Sequence, residues 1–191
     1  MSTFAMVTGH RVVANDHAVL LKLSWIIRKL EEQGHDEIIG ISGGAEGADS
    51  LWARACFNEH RPFDLYVPNR YYFKHYRADD HEVEFLTSKA RNIITVVTRP
   101  AVSRSTWEPR MKARPGNDPW WVDNFERNRA MIKAASVHIA VSDRHPMEYV
   151  RDPSIRGGTA GCIRDLHRSV QEILWLCPQT PDTVKRIVFN R

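Results

Sequence analysis

The chain has 191 residues, 42% of them hydrophobic and 26% charged, a length that suits one domain burying roughly 70% of the surface its unfolded chain would expose. Its three cysteines, Cys56, Cys162 and Cys177, are widely spaced with no CxxC pair; this argues against a disulfide framework or a thiolate zinc site and predicts three free thiols in a reducing cytosol. The formal charge of +4, from 27 basic and 23 acidic residues, is too small to imply nucleic-acid binding by itself, and with no basic leader and no apolar run near the roughly 20 residues of a membrane span, a soluble cytoplasmic protein with no membrane partner is expected.

Phe4–Thr8 is the first expected strand, and it runs into Thr8-Gly9-His10-Arg11. There Gly9 permits a sharp turn, Arg11 suits a phosphate, and His10 is a candidate acid or base. Asp16 is placed to cap a helix whose Val19, Leu20, Leu23, Ile26, Ile27 and Leu30 recur at helical spacing until Gly34 ends it. The second strand, Ile38–Ile41, leads through Ser42-Gly43-Gly44-Ala45-Glu46-Gly47-Ala48-Asp49 into a helix over Ala45–Glu59. A glycine-rich bend between strand and helix can hold a phosphate on backbone N–H groups and the helix dipole. Gly43, Gly44 and Ala45 would let the ligand approach the backbone, Ser42 offers a hydroxyl, Gly47 lets the helix pack closely, and Asp49 either caps the first turn or touches the ligand. The spacing is neither GxGxxG nor GxxxxGK[ST], and no lysine follows Gly47, which disfavours ATP hydrolysis of the P-loop kind.

The third strand, Phe63–Val67, is followed by the aromatic, kinked segment Val67–Phe73, expected to line a crevice beyond the strand ends. A helix over Asp79–Ala90 and a strand over Ile93–Val97 precede residues 98–120, whose prolines and length suggest a lid or a mobile arm. Arg99, Arg104, Arg110, Lys112, Arg114, Arg127 and Arg129 interleave with Trp107, Trp120 and Trp121 there and beyond. They form either a surface for weak single-stranded nucleic-acid binding or a solvated loop whose tryptophans cap the core. A helix over Trp121–Ala135 carries Arg127 and Asn128 towards the fifth strand, Val137–Val141. Arg156-Gly157-Gly158-Thr159-Ala160-Gly161 then opens a helix over Thr159–Leu176, with Thr159 an N-cap or a phosphate ligand, before the last strand, Val184–Phe189.

Strands alternating with helices imply an α/β, Rossmann-like fold: a mostly parallel sheet with helices on both faces, in a single domain over residues 1–191. Two glycine-rich helix starts on one sheet point to a nucleotide-type ligand held through Ser42 to Gly47 and Gly157 to Ala160, its phosphates met by Arg11 and Arg127. No cofactor is required by these features.

The order Thr-Gly-His-Arg, then Ser-Gly-Gly-Ala-Glu-Gly-Ala-Asp, then Arg-Asn-Arg-Ala-Met-Ile before an apolar strand, then Gly-Gly-Thr, resembles the SLOG superfamily over about residues 4 to 170. It is most similar to the YpsA-like branch and more distantly resembles DprA and the Lonely-guy phosphoribohydrolases. The resemblance implies a Rossmann-type sheet, a nucleotide or ADP-ribose-like ligand between the two glycine-rich turns, a sensor or binding module, and a homodimer. It also offers two alternatives: a nucleotide N-glycosidic hydrolase, or a DprA-like single-stranded DNA binder.

For the hydrolase the sequence departs from the Lonely-guy pattern. Arg127 and Met131 match its Arg-Lys-x-x-Met motif and Gly158 and Thr159 its Gly-Gly-x-Gly-Thr-x-x-Glu motif, but Asn128 stands in place of lysine and Cys162 in place of the catalytic glutamate. A thiol cannot supply that carboxylate. Glu126, Glu46 or Asp143 are the replacement candidates, with His10 as acid or base. Cys162 is either a nucleophile with a lowered pKa or a buried small residue beneath the turn. No histidine lies in HExxH or another metal-ligand spacing, so no metal site is expected, and His138, alternating with Val137 and Ile139, reads as a hydrogen-bonded core residue.

Overall fold

The central strand β1 (Ser2–Gly9) buries Ala5, Met6 and Val7 completely, as expected of a parallel strand covered on both faces. A computed structural model describes residues 2–69, 72–75, 79–96 and 119–189. From β1 the chain runs through α1 (Asp16–Glu32), β2 (Glu37–Ser42), α2 (Ala48–Asn58), β3 (Phe63–Val67), a short α3 (Tyr72–His75), α4 (Asp80–Lys89) and β4 (Asn92–Thr95). It continues with α5 (Pro119–Ala134), β5 (Val137–Val141), α6 (Pro146–Arg151), α7 (Gly158–Ser169), β6 (Glu172–Leu176) and β7 (Val184–Val188). The seven strands lie in the order β4-β3-β2-β1-β5-β6-β7. All neighbours are parallel except β6 and β7, so the Rossmann-like class expected from the alternation is the fold observed.

Alternate side chains of β1 divide the core. Ala5 and Val7 belong to a core with Val19, Leu23 and Ile27 of α1, Trp52 of α2 and Leu86 of α4, while Met6 belongs to a second core with Met131 and Ile132 of α5 and Ile163 and Leu166 of α7. The chain therefore fills one half of the sheet from β1 to β4 and returns to fill the other half from β5 onward. β1 and β5 are the adjacent strands at which the direction reverses, and their C-terminal ends diverge into loops that leave on opposite faces. Trp52 anchors α2 by donating from its indole nitrogen to the Ala5 carbonyl oxygen at 3.1 Å, fully buried.

Three expectations are corrected. The helix anticipated over Thr159–Leu176 ends at Ser169; Val170 is extended, and Glu172–Leu176 is strand β6, between β5 and β7. Its apolar run Ile173 to Leu176 satisfies helical and strand periodicity alike, and the gap between β5 and β7 decides in favour of the strand. Asp16 is the first residue of α1 rather than its cap. Asn15 holds the cap position at φ 52°, and its side-chain nitrogen donates instead to the Pro178 carbonyl oxygen at 2.9 Å. The helix expected from Ala45 begins at Ala48, because residues 45–47 form the end of the glycine-rich loop. The anticipated arm at 98–120 lies outside the described residues as far as 118, and residues 119 and 120 open α5. Among the described residues no helix is long and apolar enough to cross a membrane.

Gly9 ends β1 where α2 and β5 come closest. A Cβ there would lie 2.5 Å from the Val141 carbonyl oxygen and closer still to the Ala48 Cβ. Gly9→Ala should therefore destabilise the protein by about 1–3 kcal/mol through overpacking, read as a lower urea midpoint with an unchanged m-value; full stability in the variant would contradict this contact.

Candidate ligand-binding cleft

In open α/β sheets, ligands sit beyond the strand C-termini where the strand order reverses. Here that position holds a cleft of about 430 Å³. It gathers residues far apart in sequence: Gly9, His10 and Arg11 after β1, Ala45 and Asp49 at the start of α2, Arg127 and Asn128 on α5, Asp143 after β5, and Gly157, Gly158, Thr159 and Ala160 at the start of α7. Ser42, Gly43, Gly44, Gly47 and Glu126, also singled out in the sequence, are not among its lining residues. Arg144, Tyr149 and Arg156 line it as well. Of these, Tyr149 and Arg144 carried no motif; the one available signal was their position just past the end of β5.

The α7 end of the cleft is open. Gly157 precedes the helix at φ +120°, a conformation that favours glycine, and a Cβ on either Gly157 or Gly158 would meet nothing within 4 Å. The first-turn amides of an α-helix lack intrahelical acceptors and carry the positive end of its dipole. Thr159 does not offer its proton to a ligand: its hydroxyl donates to the Gly9 carbonyl oxygen at 2.6 Å and ties α7 to β1. Gly161 lets α7 lie against α5, since a Cβ there would come within 2.5 Å of the Phe125 ring. Arg11, Arg144 and Arg156 are exposed along the cleft, which makes its rim cationic.

The α2 end is filled by the protein itself. Asp49, 8% exposed, accepts the Ala45 amide at 3.3 Å, and the Gly43 amide also acts on its carboxylate. The Arg127 guanidinium lies 3.7 Å from Asp49 and donates to the Gly43 carbonyl oxygen. Ser42, fully buried, donates to the Asp49 carbonyl oxygen at 2.9 Å and accepts from the Gly44 amide at 3.1 Å. The Ala48 amide donates to the His10 carbonyl oxygen at 3.1 Å. Gly47, at φ +77°, has no room for a Cβ beneath the His10 and Arg11 carbonyl groups. Burial raises the Asp49 pKa above the usual carboxylate value; the Arg127 charge and the loop amides oppose the rise without cancelling it.

Between the two ends, three polar side chains converge. His10 Nε2 lies 2.7 Å from Asp143 Oδ1 and 2.9 Å from the Tyr149 hydroxyl, which donates to the same Asp143 oxygen at 3.2 Å. Burial pushes the Asp143 carboxyl up, but its bonds to His10 and Tyr149 and the His10 charge outweigh burial and hold it below the ordinary value. Tyr149 is pushed up to about 12, first by burial and then by the Asp143 charge, so it remains a phenol at neutral pH. An aspartate on one imidazole nitrogen fixes the tautomer and leaves the other nitrogen available to exchange a proton.

Cys162 lines the cleft from α7, 1% exposed, and burial pushes its thiol up to about 12. The nucleophile alternative thus gives way to the buried small residue. His138, 7% exposed, bonds the Ile132 carbonyl oxygen at 3.1 Å as a core histidine. Glu126, half-buried on α5, lies outside the cleft wall.

No family model and no curated protein matches the sequence. Solved structures that match the fold include two DNA processing proteins. DNA processing protein A from Helicobacter pylori, described for its single-stranded DNA binding mode, superposes with a TM-score of 0.56 at 14% identity, over 91% of this chain and 65% of that one. DNA processing protein A (DprA) from Streptococcus pneumoniae gives 0.52 at 12% identity, over 92% and 50%. The fold is DprA-like. The chain spans about half to two thirds of the length of these DprA structures, and at such identities the likeness is one of architecture.

All three cysteines are free, with Cys56 and Cys162 buried and Cys177 half-buried. A thiol reagent at pH 8 should therefore label one cysteine, Cys177, in the native protein and three after unfolding. Rapid native labelling of Cys162 would restore the nucleophile alternative.

Proposed function

We propose that the protein is a nucleotide-binding module whose cleft between β1 and β5 takes a nucleotide or a nucleotide derivative of the ADP-ribose kind. The observation that carries this is the pairing, at the strand-order reversal, of the open α7 N-terminus with Arg11, Arg144 and Arg156. Unspent helix amides and three exposed guanidinium groups favour an anion, and the remaining cleft volume is suited to a sugar and a base. Membership of the SLOG superfamily in its YpsA-like branch, and a homodimer, belong to the same proposal, supported by the motif order. A single-stranded nucleic-acid role, expected from the arginine and tryptophan cluster and in line with the description of the Helicobacter pylori protein, has weaker support. Of the seven basic residues proposed for it, Arg127 is buried and Arg129 lies 3.4 Å from Asp165, and the other five lie outside the described residues.

A thermal-shift screen across AMP, CMP, NAD and ADP-ribose tests the proposal. A nucleotide at 100 times its dissociation constant should stabilise the protein by about 2.7 kcal/mol. Arg11→Ala or Arg156→Ala should weaken the bound ligand about tenfold, the worth of one charge-assisted hydrogen bond. No shift with any nucleotide would overturn the proposal.

The contact of His10 with Asp143 favours a second reading of the same cleft, cleavage of the ligand at its N-glycosidic bond. Water would lose a proton to His10 as its oxygen bonds the anomeric carbon, and the C–N bond would break with its electron pair leaving on the base, which takes a proton from solvent. The partly exposed Asp143 carboxylate would stabilise the positive charge that develops on the sugar. Free base should then appear on incubation with AMP, CMP or NAD, disappear in Asp143→Asn without loss of ligand binding, and persist in Glu126→Ala. Bound nucleotide with no released base leaves the protein a binding module.

A further inference from the structure

Asp49 is a carboxylate placed where a glycine-rich loop ordinarily receives an anion. Its side chain takes the Ala45 amide, with the Gly43 amide contributing, and pairs with Arg127. The neighbouring donors are spent as well: the Gly44 amide on Ser42 Oγ and the Ala48 amide on the His10 carbonyl oxygen. Nor can the pair simply be pushed outward from the loop side. A Cβ at Gly43 would already lie 2.5 Å from Asp49 Oδ2, so the space there is fully used. Asp49 nevertheless lines the cleft, and whatever binds there meets it.

We infer that Asp49 is a built-in anion that sets the charge of the ligand: it closes the Ser42 to Asp49 loop to phosphate and leaves the α7 end as the single anion seat, so the cleft prefers a nucleoside monophosphate to a ligand carrying two phosphates. This rests on the nucleotide-binding role proposed above and narrows it. A second phosphate reaching towards α2 meets the Asp49 carboxylate, and the Gly43, Gly44, Ala45 and Ala48 amides beside it are already engaged. It loses the hydrogen bonds of the loop and experiences like-charge repulsion in a partly buried site. Arg127 does not reverse this, because its charge is already matched by Asp49 and one of its nitrogens by the Gly43 carbonyl group. The inference makes Asp49 a specificity-determining residue and turns the loop from a ligand-binding element into a latent one.

Two measurements on the full chain test it separately from the nucleotide role. In calorimetric titrations, the wild type should bind AMP on the order of tenfold more tightly than ADP or ADP-ribose, and Asp49→Asn, which keeps the side-chain shape and removes the charge, should erase that preference. Equal binding of AMP and ADP by the wild type, or an unchanged preference in a folded Asp49→Asn variant, would overturn the inference. The second measurement uses inorganic phosphate and reads the Gly43 and Ala45 amide resonances. They should be unmoved in the wild type and shifted in Asp49→Ala. Phosphate-dependent shifts in the wild type overturn the inference even if the variant fails to fold. Failure of every nucleotide to bind, with the phosphate result as expected, removes the nucleotide role and the monophosphate preference while upholding the closed loop.

Discussion

The site depends on the absence of a side chain at one residue. Gly9 is the point at which β1, α2, β5 and α7 meet: its Cα faces Ala48 of α2 and the Val141 carbonyl group of β5 at distances that exclude any Cβ, and its own carbonyl oxygen accepts the Thr159 hydroxyl of α7 at 2.6 Å. The four elements enter from both faces of the sheet and from both halves of the strand order. They can converge only if the strand end between them occupies almost no space. Close packing transmits such a constraint without slack, because a protein interior has little free volume to absorb a displaced methyl group. The cleft is the outward side of that junction, and its walls are the first residues of the elements pinned there.

Charge around this junction is arranged in pairs. Asp49 is matched by Arg127 and the loop amides beneath the surface, and Asp143 by His10 and Tyr149 at the cleft edge. Burying an unpaired carboxylate would be prohibitive, and the buried Asp49 is accordingly surrounded by donors, whereas Asp143 is partly exposed. The cleft arginines Arg11, Arg144 and Arg156 are exposed, where an ion pair contributes little but an approaching anion is attracted over a Debye length of about 8 Å at physiological salt. The buried charges therefore serve the architecture, and the exposed ones are available to a ligand.

Much of this was legible in the chain because the relevant signals are local. The alternation of β-rich and amphipathic segments gave the sheet, and the glycine-rich turns at 42–49 and 157–161 marked the two helices whose N-termini approach the strand ends. What was not legible required knowing which segments become neighbours. Glu172–Leu176 reads as the tail of a helix until β5 and β7 are seen to flank it. Asp49 reads as a cap or a ligand contact until Arg127, 78 positions later in the chain, is found beside it. Tyr149 belongs to no motif, and it enters the site only because α6 packs against α7 and places its hydroxyl 2.9 Å from His10, just beyond β1. The common element is sequence separation: periodicity and turn chemistry report contacts within a segment, whereas these three features are made by contacts between segments.

The self-completed glycine loop also bears on how a ligand is received. A loop whose amides wait for a phosphate is held only when the phosphate is present, and ordering it then draws on the binding free energy. Here Ser42, Asp49 and Arg127 hold the loop through hydrogen bonds of their own, so the α2 wall of the cleft is formed before any ligand arrives. The α7 wall is equally fixed by the Thr159 contact to Gly9. Both walls are thus set by the same junction, and a ligand gains little by reorganising either. Such a site recognises by fit and by charge placement. It transmits binding to the rest of the molecule only through groups that remain free to move, which are the exposed arginines of the rim and the half-exposed pair of His10 and Asp143.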